Sequence, residues 1–103
     1  MQTIQVKRPG RAMPLQPVLV GCVGSGDLEV MIESASEPQA TIVIKTSVDG
    51  SVVRWQQIIE MVDANSELPA MQMDIHDFGA TPGVIRLRIE QALELARNKE
   101  MPA

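Results

Sequence analysis

Three short segments of this chain alternate apolar and polar residues. Leu28, Val30 and Ile32 face one way and Glu29, Met31 and Glu33 the other; Ile42 and Ile44 alternate with Thr41, Val43 and Lys45; Met71, Met73 and Ile75 alternate with Gln72, Asp74 and His76. A period of two puts every second side chain on the same side of a pleated strand, so the chain must build a sheet with one apolar face. Strands are predicted over Leu28–Glu33, Thr41–Thr46 and Met71–His76, and the continuous apolar run Val18–Val23 predicts another. Two further segments repeat at helical spacing. Val52, Trp55, Ile58, Ile59 and Val62 share one face of a helix that Ser51 can cap and that ends near Asn65, before Pro69. Ile85, Ile89, Ala92, Leu93 and Ala96 share a face of a second, opened by Thr81-Pro82. Val84–Glu90 also partly alternates, but the Thr-Pro start and the periodic run through Ala96 favour helix. The order βββαβα predicts an α+β two-layer sandwich: a mainly antiparallel four-stranded sheet with two helices on one face. Residues 1–16, interrupted by Pro9-Gly10 and Pro14, are expected to be loosely ordered, with Gln2–Lys7 available as a short edge strand. A frayed tail is expected over 98–103. With 103 residues, the whole chain is expected to form one domain.

Composition removes several functions. Trp55 and Phe78 are the only aromatic residues, so bases have no stacking platform, and a net charge of −4 opposes contact with nucleic acid. The core must come from Val, Ile, Leu and the seven methionines, for which core filling is the expected role. No apolar run approaches the ~18 residues of a membrane span, and Lys7, Arg8 and Arg11 precede no secretory apolar stretch. A cytoplasmic protein without membrane insertion is expected. Cys22 has no second cysteine to pair with; beside Gly21 in an apolar run it reads as a buried structural thiol. His76, the only histidine, falls with Asp74 and Asp77 short of a metal-ligand set, and Asp74 and His76 on one strand face read as a solvated polar face.

Ser25 stands between Gly24 and Gly26, and between two predicted strands. Residues without side chains leave its hydroxyl open to approach, and glycine suits a tight turn. A serine at a hairpin tip is within reach of a large partner enzyme, as covalent attachment requires; an ordinary Gly-Ser turn has the same look. Ser25, His76 and an aspartate supply the residue types of a hydrolase, but the bracketing glycines do not form the Gly-x-Ser-x-Gly elbow on a strand-to-helix turn. The loop could instead cradle a phosphate through its backbone amides, which leaves a reversible nucleotide- or phosphate-binding module as an alternative, though the Gly-Lys-Ser/Thr of a P-loop is absent.

Three segments taken in order narrow the choice: Val23-Gly24-Ser25-Gly26-Asp27-Leu28-Glu29-Val30, Thr46-Ser47-Val48-Asp49-Gly50 and Asp77-Phe78-Gly79-Ala80-Thr81-Pro82-Gly83-Val84. Across Val18 to Leu95 the chain resembles the delta subunit of malonate decarboxylase, its acyl carrier protein. The resemblance implies that Ser25, presented by Gly24 and Gly26, carries phosphoribosyl-dephospho-coenzyme A through a phosphodiester. It implies acetyl and malonyl thioesters on the arm's thiol and conversion of malonate to acetate and carbon dioxide. The implied partners are a prosthetic-group transferase and the acyl transferase and decarboxylase subunits, which would hold the catalytic groups. The resemblance extends to the carriers of both soluble and biotin-dependent decarboxylases, and to a related carrier of citrate lyase, which leaves the carrier of a citrate-lyase-like complex as an alternative. Asp27 and Glu29 read as an acidic edge or as a guide for the attaching enzyme, and Asp77–Gly83 as a helix-entry turn or a docking loop.

Overall fold

The computed structural model describes residues 1–97; the tail expected over 98–103 lies outside the described residues. Seven elements follow one another: β1 (Gln2–Pro9), β2 (Val18–Gly21), β3 (Leu28–Ser34), β4 (Gln39–Thr46), α1 (Val52–Asn65), β5 (Met71–Asp77) and α2 (Pro82–Arg97). The strands form one sheet in the order β1-β4-β5-β3-β2. Only β4 and β5 run parallel, joined through α1; the other three pairings are antiparallel. The α+β class and its mainly antiparallel sheet hold, but the sheet has five strands rather than four.

The fifth strand is β1, where the sequence predicted loose structure. Gln2 pairs with Thr46 and the ladder runs to Pro9 opposite Gln39. Ile4 is buried and Val6 packs against the core, while Lys7 and Pro9 at this edge discourage pairing with another chain. Beyond it Gly10 N–H donates to Pro38 O (3.1 Å), Arg11 N–H to Leu68 O (2.9 Å) and Gln16 N–H to Ala96 O (3.0 Å), so residues 10–16 are stitched to the fold.

Alternation decides the core. Leu28, Val30, Ile32, Ile42, Ile44, Met71, Met73 and Ile75 point to the helices and are buried; Glu29, Glu33, Thr41, Lys45, Gln72, Asp74 and His76 point away. α1 covers the sheet with Trp55, Ile58, Ile59 and Val62, and α2 with Ile85, Ile89, Ala92, Leu93 and Ala96. Full burial of such an aliphatic side chain contributes roughly 1.5–3 kcal/mol, so these periodic positions outweigh any intrinsic helix preference. Thr81 opens α2 as expected, accepting Val84 N–H on its hydroxyl (3.3 Å) and Ile85 N–H on its carbonyl (2.9 Å). Ser51 stands before α1, but its hydroxyl donates to Val48 O (3.0 Å) instead of capping the helix; only its carbonyl serves, accepting Trp55 N–H. Of the methionines, Met71 and Met73 fill the core, whereas Met31 faces outward from β3 and Met61 outward from α1.

Candidate functional site

The register puts the C-terminal ends of β2, β4 and β5 and the start of β3 at one end of the sheet: Thr46 lies beside Asp77, Asp77 beside Leu28, and Gly21 beside Glu29. Three loops therefore emerge together, Cys22–Asp27, Ser47–Ser51 and Phe78–Thr81. Each of the three segments singled out in the sequence runs through one of these loops. Among the described residues, the four with positive φ, glycines 21, 26, 50 and 79, all lie at this end.

Ser25 occupies the corner of a turn. Asp27 N–H donates to Gly24 O (3.1 Å), and Gly26 in the third position has φ 79°. A left-handed third residue after a second residue of negative φ is the type II arrangement, which needs glycine there. The turn is pinned to the β5–α2 loop: Gly26 N–H donates to Phe78 O (2.8 Å), and Phe78 N–H to Asp27 O (3.0 Å). Ser25 is exposed, and among the described residues no hydrogen bond engages its hydroxyl. A Cβ added at Gly24 or Gly26 would meet nothing within 4 Å, so the space around the serine is open.

Asp77 holds the platform beneath. It is buried, accepts the Thr46 hydroxyl (2.7 Å) on one oxygen and Ala80 N–H (2.9 Å) on the other, and its carbonyl accepts Ser47 N–H (3.1 Å). Thr46 Oγ1 in turn accepts Val48 N–H (3.0 Å). The ends of β4 and β5 and the entry to α2 are thus tied through one carboxylate. Asp77 is on the inner face and Asp74 and His76 on the outer, so these three do not converge, and no cluster of three metal-ligating side chains exists among the described residues.

Cys22 corrects the sequence reading: it is exposed, not buried. β2 ends at Gly21, whose φ of 91° turns the chain away and whose missing side chain admits the Leu28 carbonyl. The Cys22 thiol donates to Asp27 Oδ2 (3.1 Å), and this hydrogen bond to a carboxylate pushes its pKa up. Asp27 itself is drawn inward to Arg88 of α2, which holds its carboxyl down at about 2; Leu28 N–H and the thiol add to the effect. Glu29 faces its cross-strand neighbour His76, with Oε1 3.4 Å from Nδ1. Neither acidic residue is a free edge, and sequence reasoning missed Arg88 altogether.

The hydrolase arrangement does not form, because His76 sits on the outer sheet face against Glu29 and, among the described residues, no base is hydrogen-bonded to Ser25. The amides of Gly26, Asp27 and Leu28 are engaged by Phe78 O, Gly24 O and the Asp27 carboxylate, so they are not available to cradle a phosphate. What remains is an exposed, unpaired primary hydroxyl on a fixed turn. Among the described residues no helix is long and apolar enough to cross a membrane.

The profile of the malonate decarboxylase delta subunit (MdcD) matches residues 15–96. A malonate decarboxylase acyl carrier protein of Azotobacter vinelandii is 50% identical over 98 residues, covering 95% of this chain and 99% of that one. One from Pseudomonas aeruginosa is 53% identical over 96 residues, covering 93% and 97%. Among solved structures, a chain from a Pseudomonas malonate decarboxylase hetero-tetramer crystallised in complex with malonate is similar at a TM-score of 0.85 and 47% identity, over 91% of this chain and 97% of that one. The family match spans the three loops at the Ser25 end, and the chain belongs to the malonate decarboxylase delta subunit family.

Proposed function

We propose that this chain is the acyl carrier subunit of a malonate decarboxylase, non-catalytic in itself, with Ser25 as the residue to which phosphoribosyl-dephospho-coenzyme A is joined. The observation that carries the reading is the Ser25 corner: an exposed hydroxyl without a hydrogen-bond partner, on a turn fixed by two main-chain bonds to Phe78. A serine without a neighbouring base is a weak nucleophile, so the attaching transferase has to bring the base. Ser25 Oγ would bond to the α-phosphorus of a triphosphate precursor as the bond to the β-bridging oxygen breaks. Diphosphate leaves with that electron pair, and the hydroxyl proton passes to the transferase. The chain's part is presentation: Gly24 and Gly26 leave the hydroxyl uncovered, and Phe78 and Asp77 keep the turn from yielding.

Once attached, the group supplies a thiol at the end of a long arm, on which acetyl and malonyl units travel at high effective concentration between acyl transferase and decarboxylase subunits. The similar chain in a hetero-tetramer crystallised with malonate supports partners of this kind. Intact-mass measurement of the chain incubated with the transferase and the triphosphate precursor tests the reading. One phosphoribosyl-dephospho-coenzyme A should be gained at Ser25, and none by Ser25→Ala, whose stability should stay within about 0.5 kcal/mol of the parent because the side chain is exposed. Equal loading of Ser25→Ala would remove Ser25 from the role.

A further inference from the structure

The Asp27 carboxylate, two residues from Ser25, is engaged on every side. Oδ1 accepts Leu28 N–H (2.7 Å) and Arg88 Nε–H (3.2 Å); Oδ2 accepts Arg88 Nη2–H (3.1 Å) and the Cys22 thiol (3.1 Å). Cys22 opens the loop and Asp27 closes it, so a single side chain joins both ends and Arg88 fastens them to α2. The guanidinium is anchored in turn. Its Nη1 reaches Gln91 Oε1 (3.4 Å), and the neighbouring helix positions Ile85 and Ile89 are 1% and 0% exposed. A two-pronged guanidinium–carboxylate pair fixes orientation as well as distance, which a lysine cannot do. It also neutralises a carboxylate two residues along the chain from a hydroxyl that has to meet a polyanion.

From this geometry we infer that Arg88, acting through Asp27, is a positioning residue for Ser25: it holds the turn in the shape the attaching enzyme reads and cancels the negative charge beside the incoming triphosphate. The inference rests on the reading of Ser25 as the attachment residue. Arg88 does not touch the reacting atoms. Its contribution is to keep the hydroxyl where the transition state needs it, and misplacement by about 1 Å can cost on the order of a hundredfold in rate.

The test follows loading of the full chain by intact mass, under steady-state conditions with the transferase and precursor, for the parent, Arg88→Met, Arg88→Lys and Asp27→Asn, alongside amide exchange of the unloaded proteins. Methionine keeps most of the apolar stem while removing the fork. Arg88→Met should lower kcat for loading about ten- to a hundredfold, with KM for the carrier changed less than about threefold, and Arg88→Lys should recover part of the loss. Asp27→Asn combined with Arg88→Met should be no slower than Arg88→Met alone, as expected of two residues acting as one unit. The Gly26 amide should exchange faster in Arg88→Met while amides of Ile75 and Ile89 keep their protection. Loading of Arg88→Met at the parent kcat would overturn the inference, as would faster exchange spread evenly through the core. If the parent itself gains no mass, the proposed function falls and the loading role of Arg88 with it. Exchange at Gly26 then still decides whether the clamp exists, and an unchanged rate in Arg88→Met would refute it.

Discussion

Removing the Asp77 carboxylate should unravel the platform on which the serine turn rests. In Asp77→Ala, the Thr46 hydroxyl at 0% exposure and the buried Ala80 N–H both lose their acceptor. A buried donor left without a partner costs about 1–3 kcal/mol, so the two together predict a loss of about 2–6 kcal/mol. For a domain of this size each kcal/mol lowers Tm by roughly 4–8 °C, which puts the expected drop between about 8 and 48 °C. Asp77→Asn keeps one acceptor oxygen and should fall between, near about 1–2 kcal/mol. Trp55 is buried in α1 and unique in the chain, so its fluorescence reports urea unfolding directly. The midpoint should move with the slope unchanged. A loss below about 0.5 kcal/mol in Asp77→Ala would refute the argument, because it would mean that the two donors find other partners at no cost.

Other outcomes follow from the same end of the sheet. Gly26→Ala meets no neighbouring atom but must hold φ 79°, so it should cost about 1–2 kcal/mol in urea unfolding and slow loading at Ser25; a variant as stable as the parent would show that the turn relaxes freely. Asp27 is held at about 2 in the folded chain against about 3.9 when unfolded, so its stabilisation is complete above about pH 4 and disappears as pH falls towards 2. The stability gap between the parent and Asp27→Asn should therefore narrow between pH 5 and pH 2, and a gap constant with pH would contradict the assignment. Cys22 is exposed yet bonded to a carboxylate that keeps it protonated. At pH 8 it should react with iodoacetamide more slowly than a free cysteine, and Asp27→Asn should accelerate it; equal rates in the two proteins would exclude that control.

The parts of the fold that were legible are those written in short-range pattern. β3, β4 and β5 announced themselves by alternation, and α1 and α2 by helical spacing that survived into burial at every named position but Val52, which is only partly buried. β1 was harder, because an edge strand with only two apolar residues, Ile4 and Val6, on its inner face carries half the signal and Pro9-Gly10 reads as a break. That glycine is where main chains crowd: a Cβ there would lie 2.8 Å from Ala40 N and from Ala70 Cα. Cys22 was misplaced because an apolar run does not show where a strand ends; Gly21 held that information. The serine corner could be read from its glycines. Its supports could not, since Phe78 and Arg88 reach it only through the antiparallel β3–β5 pairing and the packing of α2, and neither leaves a local trace near Ser25.

The sheet order has a consequence for when the serine becomes usable. β3 and β4 follow each other along the chain but are not neighbours; β5 fills the gap between them. Until that central strand has slotted in, Phe78 is not there to receive Gly26, and Arg88 has not yet arrived to grip Asp27. In a growing or truncated polypeptide lacking that strand, Ser25 would stand on a turn without those ties. An attaching enzyme that reads the turn's shape would pass over such chains, and the order of strand insertion would act as a checkpoint on which copies receive the arm.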